Sequence, residues 1–156
     1  MFGKKVILSR LLADEAYKRV NELIDAGVQI FEVVIENVYQ IELLRRLISE
    51  KRAYFIASGI ITERRAIELI CVGAKLIVSP IFQPSLIKKC QNYGVSVIAT
   101  ATTPNEAYQA WKSRVPLIKI FPAKDMGGAH YISEILRPMP FLNVIAAGSI
   151  KTDEVV

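Results

Sequence analysis

Seven short runs rich in β-branched residues alternate with amphipathic stretches along this chain, without a linker or low-complexity break. That alternation restricts the fold more than any other feature. The runs at 5–9, 30–35, 54–58, 76–80, 96–101, 117–121 and 143–147 predict strands. The stretches at 13–26, 38–51, 62–72, 84–93, 104–112 and 129–136 predict helices between them. Gly27, Gly73 and Gly94 each fall just past a helical stretch, where a left-handed C-terminal cap is expected. Thr62 and Thr103 are expected N-caps, and Glu106 three residues after Thr103 completes a capping box.

Strict β-α repetition requires a parallel sheet with helices on its outside. Seven strands in this order favour a (β/α)8 barrel of the TIM type over a doubly wound open sheet, and no GxGxxG follows the first strand to suggest a dinucleotide site. A complete barrel takes about 200 residues or more, whereas this chain has 156. The expectation is one barrel domain over 1–156, truncated after the seventh strand. Thr152-Asp-Glu would open a seventh helix, and the eighth β-α unit is absent.

Bulk chemistry narrows the function classes. With 52% hydrophobic and 22% charged residues the chain reads as a globular protein. No apolar run reaches the 18 or so residues of a membrane span, and the N-terminus lacks a signal-peptide pattern, so a cytoplasmic location is expected. Cys71 and Cys90 form no CxxC, and His130 is the sole histidine, so neither a metal site nor a Ser-His-Asp triad is expected. The net charge of +5 comes from basic pairs scattered over helical segments, which reads as solvated helix faces rather than a nucleic-acid surface.

Against this background Lys119 stands out, an amine in the middle of the apolar run Leu117-Ile-Lys-Ile-Phe121. Such a lysine either reaches water at one end of the strand or is drawn out of water. Taking an ammonium out of water favours the neutral, nucleophilic amine that attacks a ketone to form a Schiff base. Alternation places Lys119 on one face with Leu117 and Phe121, and places Glu32 on one face with Val34 and Glu36. Glu32 is the candidate partner across the barrel interior. It is either half of a structural ion pair or the group that moves protons during imine chemistry.

The segments Phe31-Glu-Val33, Gly73-Ala-Lys-Leu-Ile-Val-Ser-Pro80, Thr103-Pro104 and Lys119-Ile-Phe-Pro-Ala123 followed by Gly127-Gly128 resemble the 2-keto-3-deoxy-6-phosphogluconate / 4-hydroxy-2-oxoglutarate aldolases. The resemblance runs in order to Gly148-Ser149-Ile150. It implies a class I aldolase on a (β/α)8 barrel, commonly a trimer, with no cofactor or metal and a small keto acid as substrate. Lys119 is then the Schiff-base lysine, Glu32 the general acid/base, and Phe121 and Pro80 the walls of a pyruvate pocket. The amides of Gly148 and Ser149 would contribute to an anion nest.

Three positions depart from the family pattern. Glu36 stands where an arginine usually binds the substrate carboxylate, and it would repel that group. Gly59 replaces a threonine that would contact the same carboxylate; Ser58 offers a hydroxyl one step earlier, on what alternation makes the opposite face. Ala147 removes another hydroxyl. These departures imply altered substrate choice or reduced turnover. Two further readings stay open: a non-catalytic barrel binding an anionic metabolite or serving in an assembly, and a phosphate-binding isomerase or epimerase in which Lys119 stabilises an enolate without a covalent bond.

Overall fold

The computed structural model describes residues 5–8 and 13–149. Its elements follow the order β1 (Lys5–Leu8), α1 (Ala13–Asp25), β2 (Ile30–Val34), α2 (Val38–Glu50), β3 (Tyr54–Ser58), α3 (Glu63–Cys71), β4 (Leu76–Ser79), α4 (Pro84–Asn92), β5 (Ser96–Ala101), α5 (Pro104–Lys112), β6 (Leu117–Ile120), α6 (Gly128–Leu136) and β7 (Val144–Ala146). All seven strands are parallel and lie in sequence order in one sheet. Among the described residues β1 and β7 are not paired with each other, so the curled sheet is a (β/α)8 barrel short of its last unit. Ile150 and Thr152–Glu154, expected in a terminal turn and helix, lie outside the described residues.

The strands are apolar on both faces because both faces are covered. Phe31 and Val33 on β2, Ile77 on β4 and Ile118 and Ile120 on β6 point outward and are almost wholly buried beneath the helices. Leu44 and Leu47 of α2, Leu69 of α3 and Leu86 of α4 cover them from the other side. The inward positions form a second, smaller cluster: Ile56, Val78 and Ile98, with Ile30, Leu76 and Leu117 packed against them. This plug fills the lower barrel interior and raises the floor on which the polar residues sit.

Local signals fix the helix ends. Gly27, Gly73 and Gly94 have φ of +90°, +99° and +68°, the left-handed conformation that ends α1, α3 and α4 at little steric cost. Thr62 caps α3 by accepting from the Arg65 amide. At α5 the carboxylate of Glu106 accepts from the amides of Thr102 and Thr103 at 2.9 and 2.8 Å, while Thr103 Oγ1 accepts from the Glu106 amide. The backbone bonds from Thr102 and then Thr103 hold the Glu106 carboxyl below its ordinary pKa. A lowered folded-state pKa gives stability that is complete above the unfolded carboxylate pKa and disappears as pH falls through the folded value. Glu106→Ala is therefore expected to destabilise the protein by about 1 kcal/mol at neutral pH. In urea titrations that difference should shrink as the solution is acidified; a difference independent of pH would remove the carboxylate from the explanation.

One expectation about the second strand is corrected. β2 ends at Val34, and Glu36 does not continue the inward face shared by Glu32 and Val34. Asn37 caps α2 with a reciprocal box, its Oδ1 accepting from the Tyr39 amide and its own amide donating to Gln40 Oε1, both at 2.9 Å. This turn takes Glu36 out of the ladder and leaves it exposed.

Candidate active site

Lys119 and Glu32 meet inside the barrel, from strands four places apart in the sheet. Lys119 Nζ lies 3.4 Å from Glu32 Oε1, with side chains 19% and 4% exposed. Their placement follows from alternation above the apolar plug: Leu117 and Ile30 pack in the plug, and Lys119 and Glu32 are the next inward positions. A charge-assisted N–H···O bond usually spans about 2.7–2.9 Å. The longer separation leaves the amine tethered but free to turn toward a third group.

The pair opens into a cavity of about 190 Å³. β2 supplies Val34 as well as Glu32, and the loop after β4 supplies Pro80. Phe121, at the end of β6, contributes a wall and is 47% exposed. Its backbone is held from both sides: its amide donates to Ala101 O, and its carbonyl accepts from Thr102 Oγ1 at 2.9 Å. Tyr131 of α6 in turn donates to the Thr102 carbonyl at 2.6 Å. The β6–β7 ladder continues past the strand ends, with Ala147 donating to Ile120 O and accepting from the Ala123 amide.

Of the expected site residues, Lys119, Glu32, Phe121, Pro80 and Gly59 line the cavity. Glu36 does not, for the reason given by the Asn37 turn. Gly148 stands behind the Phe121 wall: a Cβ there would come within 3.1 Å of Pro122 Cα and 3.2 Å of the Phe121 ring. Ser149 is exposed with a left-handed φ of +52° and is not part of the lining.

The structure also corrects the orientation of Ser58. Ser58 is 4% exposed and lines the cavity, paired in register with Val34. β3 keeps Ile56 and Ser58 on its inner face and then ends, and Gly59 leaves the strand at φ +83°, so alternation no longer governs it. Thr100 was not singled out from the sequence. It lies beside Lys119 in the β5–β6 register, is 6% exposed and lines the cavity. Its signal was present: Thr100 has the same parity as Ile98, so a polar residue on the inner face of an apolar strand was readable.

Other candidates are weaker. A larger cleft of about 440 Å³ lies at the opposite ends of β6 and β7, among Trp111, Lys112, Arg114 and Asn143, and brings no acid or nucleophile together. Burial in α4 pushes the Cys90 thiol up from its ordinary pKa, away from the reactive thiolate. Among the described residues no three His, Cys, Asp or Glu side chains gather as metal ligands, and no helix is long and apolar enough to cross a membrane.

Comparison with known proteins adds to this geometry. The family model for KDPG and KHG aldolase matches residues 5–156. The 2-dehydro-3-deoxy-phosphogluconate aldolase of Treponema pallidum is 25% identical over 138 residues, 88% of this chain and 66% of that protein. The 2-dehydro-3-deoxy-6-phosphogalactonate aldolase of Escherichia coli is 26% identical over 147 residues, 92% of this chain and 71% of that protein. A solved structure described as native KDPGal superposes with a TM-score of 0.86 at 25% identity, covering 96% of this chain and 73% of that one. The chain thus spans about two thirds of the length of the curated relatives it matches.

Proposed function

Because the chain belongs to the KDPG and KHG aldolase family, we propose that it is a class I aldolase, a lyase that cleaves a 4-hydroxy-2-oxo compound through an imine on Lys119. The observation that carries this reading is the Lys119–Glu32 pair at 3.4 Å, opening into a small cavity at the C-terminal ends of the strands, where barrel enzymes place their chemistry. The relatives are named as aldolases of 2-dehydro-3-deoxy phosphosugar acids, and on this reading the substrate is a 2-keto-4-hydroxy acid, phosphorylated or not, cleaved to pyruvate and an aldehyde.

The steps balance with these two residues. Glu32 takes a proton from the Lys119 ammonium, and the neutral amine adds to the C2 carbonyl, forming a C–N bond. Glu32 then gives its proton to the departing oxygen, so water leaves and an iminium remains. The carboxylate accepts the C4 hydroxyl proton as the C3–C4 bond breaks, and that electron pair flows into the iminium to give an enamine and a free aldehyde. Glu32 returns the proton to C3, and water hydrolyses the imine to release the ketone product and the lysine.

Borohydride reduction in the presence of pyruvate or another small carbonyl compound is expected to leave a covalent adduct on Lys119, detected by peptide mass mapping and absent in Lys119→Ala. If no carbonyl compound gives an adduct at saturating concentration, the imine is wrong, and an isomerase or epimerase that uses Lys119 non-covalently becomes the better account. An adduct without aldehyde release from any 4-hydroxy-2-oxo compound would identify a binding homologue that no longer cleaves. The same reading extends to a homo-oligomer, a trimer, in the cytoplasm; sedimentation equilibrium tests the assembly.

A further inference from the structure

Phe121 walls the cavity two residues after Lys119, yet 47% of it is exposed, so burial alone does not fix the ring. Its place is set by its backbone, and there the β5–β6 ladder runs out. The Phe121 amide donates to Ala101 O at 3.2 Å, and Pro122 has no N–H with which to continue. In a parallel pair the Phe121 carbonyl would next accept from the Thr103 amide. That amide instead donates to Glu106 Oε2 at 2.8 Å, in the capping box of α5. The Thr102 hydroxyl takes its place and donates to the Phe121 carbonyl at 2.9 Å.

Every polar group of Thr102 is committed, and each to a different element. Its amide donates to Glu106 Oε2 of α5 at 2.9 Å, its carbonyl accepts from Tyr131 of α6 at 2.6 Å, and its hydroxyl reaches the end of β6. With both backbone groups held and a β-branched side chain stiff at χ1, the hydroxyl has little freedom to point elsewhere. Gly148 lies behind the Phe121 ring, so close that a Cβ there would come within 3.2 Å of it. The ring is thus backed on one side and tethered through its carbonyl from the other strand. A misplacement of about 1 Å in such a wall is enough to cost up to about a hundredfold in reactivity.

Resting on the imine reading above, we propose that Thr102 is a positioning residue of the active site. Tyr131 fixes its backbone, and its hydroxyl holds Phe121 at the distance from Lys119 that fits the short ketone end of the substrate. Thr102 is not part of the cavity lining and acts through Phe121. Releasing the clamp loosens the grip on pyruvate and makes room for a ketone one methylene longer.

The test is borohydride trapping on Lys119 over concentration series of pyruvate and of 2-oxobutanoate, with a urea titration of every variant. Thr102→Val keeps the shape of the side chain and removes the hydroxyl. It is expected to raise the half-saturating pyruvate concentration about three- to tenfold, and that of 2-oxobutanoate by a smaller factor. Thr102→Ser, which keeps the hydroxyl, is expected to restore the native values. Tyr131→Phe is expected to shift the ratio of the two keto acids in the same direction, and it carries the comparison should Thr102→Val fail to fold. In a Phe121→Ala background Thr102→Val is expected to add nothing, since the two residues act as one unit. An unchanged pyruvate value, equal shifts for both keto acids, or a full additional effect in Phe121→Ala overturns this inference and leaves the Lys119 imine standing. No adduct in the unaltered protein sinks the imine reading itself, a result separate from any of these.

Discussion

Lys119→Met is expected to abolish both borohydride trapping and aldol cleavage, with a fall in turnover of about 10³-fold or more. The methionine keeps the length and apolar body of the lysine but cannot form the C–N bond on which every later step depends. A second, physically separate effect is expected on stability. Glu32 is 4% exposed and faces the amine at 3.4 Å. Removing the amine takes away one partner of the buried Glu32 carboxylate, and losing a hydrogen bond to a charged group costs about 1.5–3 kcal/mol. Urea titration of Lys119→Met should show a loss near the lower end of that range, because the lysine side chain retains 19% exposure and the site is partly wet. Adding Glu32→Gln to the same chain is expected to recover much of the stability and none of the activity. A single variant with unchanged stability would show that the pair is already solvated, and full cleavage by Lys119→Met would end the imine mechanism.

Glu32→Gln should separate binding from proton transfer. The amide keeps the shape and the hydrogen-bonding capacity of the side chain, so Lys119 is still expected to be trapped by a carbonyl compound. Cleavage is expected to fall by about 10² to 10⁴-fold, the usual contribution of a positioned general acid/base. The loss should lie in kcat, since the proton is transferred in the transition state and contributes little to ground-state binding. A fall of less than about tenfold would reduce Glu32 to a counter-ion for the lysine. Together the two variants distinguish a nucleophile from its proton carrier, because one removes trapping and cleavage and the other removes cleavage alone.

The legibility of this protein varies element by element. α5 was readable to its boundaries, because Thr103, Pro104 and Glu106 form a cap that depends only on residues three apart. β6 was readable in its facing, because Ile118 and Ile120 must be buried beneath helices and Lys119 therefore turns inward. Glu36 was misplaced because the inward alternation of β2 was carried two residues past the strand, when Asn37 and Gln40 had already turned the chain. Ser58 was turned outward because Gly59 was read as a continuation of β3, and a left-handed glycine breaks the alternation there.

The sequence by itself determined the parallel β-α architecture, the inward facing of Glu32 and Lys119 on their strands, and so the amine and carboxylate that share the interior. These follow from periods of about two and 3.6 residues, which are local properties of the backbone. Only the tertiary structure decided how far each alternation runs and what the interior groups have left to offer. The 3.4 Å approach of Lys119 to Glu32 spans 87 residues of chain, and the hydroxyl proton of Thr100 is spent on the Ser79 carbonyl of the neighbouring strand. Hydrogen-bonding capacity in a cavity is what remains after such distant partners have been satisfied, and no local pattern records that remainder.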